Sequence, residues 1–157
     1  MSAPIPWIAL TVDGLLSSMT EREIADFGKV STRVSVPDRV VPILSRLTAQ
    51  IIGYIGSNVQ NTLSPDPTLI PSEFEAHAYA IARWRVLTSI PGYQPGDARE
   101  KDYDKADAFF NMVARGSIRP RPAPDAVPSN VPNEKPAGIE VVSAPGSRTG
   151  RARMDGC

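Results

Sequence analysis

The chain has 157 residues, with 17 Lys and Arg against 17 Asp and Glu, one His, one Cys and 41% hydrophobic residues, a balance that suits a soluble protein of about one domain. A single cysteine, Cys157, excludes an internal disulfide and a cysteine-based zinc cluster, and that usage suits a reducing compartment. No apolar run approaches the roughly 20 residues of a membrane span, Met1 to Leu10 lacks the basic-then-apolar order of an export signal, and zero net charge supplies no general attraction to nucleic acid.

The first part of the chain reads as helices. A first helix is expected over about Val12 to Met19, and a second short one carries Ile24 and Phe27 and stops near Gly28. Thr20-Glu21-Arg22-Glu23 and Ser72-Glu73-Phe74-Glu75 fit the capping-box pattern, and Asp97-Ala98-Arg99-Glu100 approaches it with Asp in the cap position. The longest helix should begin near Asp38, hold Pro42 in its first turn and run to about Asn58. Its apolar face is read as Val41, Leu44, Leu47, Ile51, Ile55 and Val59, with Gly53 and Gly56 permitting close helix packing.

The stretch from Gln60 to Pro71, holding Pro65, Pro67 and Pro71, reads as irregular. A third major helix follows from Ser72 to about Ser89, with Phe74, His77, Ala78, Ile81, Ala82 and Arg85 along one side, and Pro91-Gly92 stops it. The last helix spans Asp97 to Arg115, burying Tyr103, Ala106, Phe110 and Val113, and Gly116 stands where a left-handed residue is favoured. The expected fold is therefore all-α, a small four-helix bundle with additional short helices.

Seven of the 16 prolines fall in the last 39 residues, a segment with no Leu, Phe, Trp or Tyr to build a core, so the chain divides near Ile118 into a helical body, 1–118, and an extended tail, 119–157. The body carries 11 basic and 13 acidic residues, net −2, and the tail 6 and 4, net +2. Proline every two to four residues from Pro120 to Pro136 biases the intervening backbone to extended or polyproline conformations. Gly138-Ile139-Glu140-Val141-Val142-Ser143 interrupts that pattern with a β-branched run suited to adding a strand to a sheet edge. Ile139, Val141 and Val142 are the expected anchors, and Arg119, Arg121, Arg148, Arg151 and Arg153 the charges that meet an acidic protein surface.

Chemistry-bearing patterns are sparse. His77 has no cysteine or second histidine to work with and reads as a packing or interface residue, while Glu73/Glu75 and Asp102/Asp104/Asp107 diverge at i,i+2 on a helix and read as solvated faces. There is no phosphate-cradling glycine loop, so neither an enzyme nor a cofactor or metal is expected. Arg83 and Arg85 flank Trp84, which raises a helix-turn-helix type of nucleic-acid binder as the alternative, although the body is net negative and Glu73 and Glu75 would face phosphate.

The order of parts carries a resemblance. Leu10-Thr11-Val12-Asp13-Gly14-Leu15-Leu16 followed by Thr20-Glu21-Arg22-Glu23-Ile24, the long amphipathic helix, Leu69-Ile70-Pro71, Ala80-Ile81-Ala82-Arg83-Trp84, Tyr103-Asp104-Lys105-Ala106 and Ala114-Arg115-Gly116 resemble the small helical head-tail connector (adaptor, or head-completion) proteins of Mu-like tailed bacteriophages, over roughly residues 8–118. The resemblance implies a structural virion protein that forms a ring, of twelve subunits, beneath the portal and continues the DNA channel toward the tail. Its partners would be the portal protein, a tail-side connector or tail terminator protein, and further copies of itself. DNA would pass without sequence-specific binding, and no membrane would be involved.

Overall fold

Three helices begin where a hydroxyl side chain takes an amide that the first turn leaves unpaired. In the computed structural model, which describes residues 6–30 and 33–124, Thr11 caps α1 (Val12–Ser17), Thr20 caps α2 (Glu21–Lys29) and Ser35 caps α3 (Val36–Gly56), accepting from the backbone N–H of Gly14, Glu23 and Asp38 at 3.1, 3.3 and 3.3 Å. The Thr20–Glu23 capping box is complete, with Glu23 returning to the Thr20 N–H at 2.7 Å. The other two expected caps are not used. Ser72 opens a 3-10 turn (Ser72–Phe74) before α4 (Glu75–Thr88), and no side chain caps that turn or α4; the Ser72 N–H is spent on the Pro6 carbonyl. α5 (Asp97–Ala114) takes Gly96 as its cap residue and leaves Asp97 in the first turn, where its charge still favours the positive helix end.

The helices bury one core. α3 contributes Val40, Leu44, Leu47, Ile51 and Ile55, α4 contributes Ala78, Ile81, Ala82, Val86 and Leu87, and α5 contributes Ala106, Phe110 and Val113. This corrects the expected face of α3. At 100° per residue Val40 lies about 20° from the centre of the stripe and Val41 about 80° away, so Val40 is buried and Val41 is 54% exposed. Val59 lies beyond the helix end and is 96% exposed.

Because α3 starts at Val36 rather than Asp38, Pro42 falls in the second turn. It faces solvent there, and the Asp38 carbonyl that loses its helical donor is within reach of water. Gly53 faces open space, so it does not serve close packing, whereas Gly56 meets only Leu63. Gly116 has φ +77°, with Ser117 N–H to Met112 O at 2.9 Å and Gly116 N–H to Val113 O at 3.0 Å, the paired bonds of a left-handed helix stop.

α4 and α5 run antiparallel, since His77 stacks on Phe109 and Trp84 on Tyr103, at centroid separations of 4.1 and 5.3 Å. Tyr103 is therefore half-buried at the seam rather than in the core. Phe74 meets Phe109 and Phe110 edge-on at 5.1 and 5.8 Å and closes the inner end of the pair.

The stretch expected to be irregular contains a strand, β2 (Leu69–Pro71), which pairs antiparallel with β1 (Trp7–Ala9) in the register Trp7↔Pro71, Ile8↔Ile70, Ala9↔Leu69. The described residues are otherwise mostly helical, and no helix among them is long and apolar enough to cross a membrane.

An ionic clasp holds the short helices to α5. Glu23, buried at the head of α2, accepts Nε of Arg99 on Oε1 at 2.9 Å and Nη2 on Oε2 at 3.0 Å, so the capping carboxylate is also one half of a two-pronged ion pair. Beside it Arg83 donates to the Ser18 carbonyl at 2.9 Å and to Asp102 at 3.0 Å, tying the end of α1 to α4 and α5. Burial pushes the Glu23 carboxyl up, but the Thr20 N–H and the Arg99 guanidinium outweigh it and hold the group below its ordinary value of 4.5.

Two expectations follow from this packing. Phe110→Ala, at a fully buried ring, should cost about 3–5 kcal/mol in chemical denaturation, and a change within error would show that α5 does not present this face inward. Glu23→Gln should cost about 2 kcal/mol at neutral pH, below the range for a wholly buried pair because the Arg99 side chain is partly exposed. A carboxyl whose folded pKa is depressed stabilises above its unfolded pKa and loses that contribution as pH falls through the folded one. The gap between the parent protein and the variant should therefore close in thermal melts taken at progressively lower pH below 4.5, and a gap independent of pH would refute the charge pairing.

Candidate partner interface

His77, Arg83 and Arg85 are engaged in holding the fold. His77 is half-buried against Phe109, and that burial alone lowers its pKa, leaving a neutral imidazole at neutral pH. Arg83 serves the clasp, and Arg85 donates to the side-chain oxygen of Gln50 on α3. Among the described residues no group of three or more His, Cys, Asp or Glu is arranged to hold a metal ion.

One region that the fold leaves open lies around the two-stranded ribbon. Ser72 N–H to Pro6 O, at 3.1 Å, fixes which positions of the ribbon are hydrogen-bonded: Pro6 opposite Ser72, where proline has no N–H to return, and, two residues on, Ile8 opposite Ile70. The intervening pair, Trp7 and Pro71, points its main-chain groups away from the ribbon, which is why Pro71 costs the ladder no donor. The amides and carbonyls of Trp7 and Ala9 consequently form the outer edge of β1, and among the described residues none of them has a partner outside the ribbon, although Trp7 is buried and only Ala9 stands exposed.

At the Ala9 end of the same strand lies an apolar groove of about 310 Å³, between the ribbon and the outward side of α3. Ala9, Leu10 and Val12 form one wall, Val41, Leu44 and Thr48 the other, and Pro67 closes an end. Val41, which the hydrophobic pattern assigns to the core, is thus an exposed apolar wall of a surface groove. Asp13 and Asp66 adjoin lining residues in the chain and Asp38 stands one turn before Val41, while Arg46 adjoins the lining residue Ser45.

Of the expected partner-binding residues, Arg119 and Arg121 are described, and both are exposed. Arg121 is anchored through its backbone: its N–H donates to Glu73 at 3.2 Å and its carbonyl accepts the Trp7 indole N–H at 3.2 Å. Pro120 and Ala123 are buried, so residues 119–124 lie along the body beside β1 rather than leaving it at Ile118. Ile139, Val141, Val142, Arg148, Arg151 and Arg153 lie outside the described residues. Neither the ribbon nor the groove was read from the sequence. The available signal was two short apolar runs, Trp7 to Leu10 and Leu69 to Pro71, the second hidden by its prolines.

Ending the chain after Pro124 should leave the melting transition of residues 1–124 intact. Ending it after Ile118 removes the indole bond and the Ala123 contact and should cost about 2 kcal/mol, read by circular dichroism. Equal stability of the two shortened chains would show that residues 119–124 contribute nothing to the body.

No family model matches the chain, and no solved structure matches it. Among curated proteins, C2 domain-containing protein 3 of Mus musculus is 33% identical over 79 residues, which is 50% of this chain and 3% of that protein's length.

Proposed function

We propose that the protein is a structural subunit of a virion, a head-tail connector that assembles as a ring below the portal and continues the DNA channel toward the tail. The observation that supports it best is the division of labour over the surface. Glu23, Arg83, Arg99 and Asp102 are engaged in packing the bundle, whereas the unpaired Ala9 end of β1 and an apolar groove are exposed on its surface. That is the equipment of a protein whose work is contact with other proteins.

On this reading the chain performs no covalent chemistry and needs no cofactor. Its partners are the portal, a tail-side connector or tail terminator protein and neighbouring copies in a twelve-membered ring. A body of net −2 repels DNA of like charge and lets it pass. The helix-turn-helix alternative gains nothing from Arg83 and Arg85, whose guanidinium groups are held by Ser18, Asp102 and Gln50.

Negative-stain imaging of the purified full-length protein, alone and mixed with portal-bearing heads, tests the proposal. Rings, or added density below the portal, are the expected result. A protein that stays monomeric and ignores the heads would overturn it, and a shift of duplex DNA at moderate salt would transfer support to the nucleic-acid reading.

A further inference from the structure

The groove between the ribbon and α3 holds a polar group that the packing of the body leaves unserved. Thr48, on the α3 wall, is only 7% exposed, yet its hydroxyl makes no hydrogen bond to any residue of the chain. A threonine inside a helix ordinarily turns its hydroxyl back to the carbonyl four residues earlier, as Thr88 does to Trp84 at 2.9 Å. Thr48 makes no such bond to Leu44. Among the described residues Arg39 Nε is the one side-chain N or O that is both sealed from solvent and unpartnered, so the Thr48 hydroxyl keeps an opening, and the groove is the surface that Thr48 lines. A buried hydroxyl facing a concavity needs its partner from whatever fills that concavity.

We propose that this groove is a binding site for a small uncharged molecule with an aliphatic body and one alcohol or amide group, the polar group pairing with Thr48 Oγ1. The lining defines the class. A volume of about 310 Å³ lies at the lower end of small-molecule sites and equals roughly ten waters of liquid. No charged side chain lines the groove, so nothing there offsets the desolvation of a charged ligand. No aromatic ring lines it either, and Leu10, Val12, Val41, Leu44 and Pro67 offer aliphatic surface to an aliphatic body. The Thr68 hydroxyl already donates to Asp66 at 2.7 Å and Ser45 is exposed, which leaves Thr48 as the buried polar group that orients the ligand. The site goes beyond the connector reading and does not depend on it; the Ala9 edge beside it stays available for protein contact.

Thr48 also sets the selectivity. In the free protein its hydroxyl is served by solvent alone. A hydrocarbon that fills the groove removes that solvent and leaves the hydroxyl unpaired, whereas an alcohol replaces it, a difference of roughly tenfold in affinity.

Titration of the full-length chain with cyclohexanol, followed through the methyl resonances of Leu10, Val12, Val41 and Leu44, tests the site. Saturable shifts confined to those methyls are expected, with cyclohexanecarboxylate binding at least tenfold more weakly. Thr48→Val keeps the shape and removes the hydroxyl, so it should weaken cyclohexanol about tenfold while cyclohexane, followed up to its solubility, binds the variant better than the parent. Ala49→Met, at an exposed lining position, puts a longer side chain into the groove and should abolish binding with the hydroxyl intact. Shifts that do not saturate, cyclohexanol affinity unchanged by Thr48→Val, or the carboxylate binding as well as the alcohol would each overturn the proposal. Should Thr48→Val fail to fold by circular dichroism, the unaltered protein decides: equal affinity for cyclohexane and cyclohexanol excludes the assigned role of the hydroxyl.

Discussion

The Glu23 carboxylate is the point on which the arrangement of the short helices depends. One oxygen satisfies the amide at the start of α2 and the pair together meets both prongs of Arg99, so α2 cannot rotate about its axis without leaving a buried carboxylate unpaired. α2 is only nine residues long, too short to be stable by itself, and its buried anchors are few. The ion pair therefore sets its position more than its own apolar contacts do. Arg83 extends the constraint to α1 through the Ser18 carbonyl, and because Arg83 and Arg99 repel each other, Asp102 and Glu23 are needed together to hold both cations at the seam.

The long helices are organised on a different principle. α4 and α5 meet through rings at their seam, with Phe74, Phe109 and Phe110 in edge-to-face contact inside and the His77–Phe109 and Trp84–Tyr103 stacks toward the surface. A histidine in that position contributes as a flat ring, and its depressed pKa means that charging it at acid pH works against the stack. The two principles divide the body: aromatic packing fixes the helical hairpin, and charge fixes what is laid upon it.

Much of this was legible in the sequence. The Thr20 capping box, the five helices within a few residues, the burial of Ala106, Phe110 and Val113 on α5 and the left-handed Gly116 all follow from local rules, because caps, helical period and positive φ are properties of short segments. The candidate interface was not, for reasons that differ by residue. Val40 and Val41 are equally apolar neighbours, and only the phase of the whole stripe decides between them. β2 is invisible to local propensity because Pro71 ordinarily forbids a strand; it is allowed here only by a register set with Trp7, 64 positions away in the chain. The side-chain cap at Ser72 gave way to a main-chain bond with Pro6, a contact still more distant in sequence.

Those distant contacts also determine what kind of edge β1 presents. A strand of three residues with one partner would ordinarily be too weak to hold a fixed conformation. Here Tyr79 on α4 places its hydroxyl against the chain where β1 passes into α1, accepting the Thr11 N–H at 3.1 Å, and it fits because residue 14 is glycine: any Cβ there would overlap the tyrosine oxygen. The other end of β1 is fixed by the Trp7 indole on the Arg121 carbonyl. Pinned at both ends to the helical bundle, β1 is ordered by the fold itself.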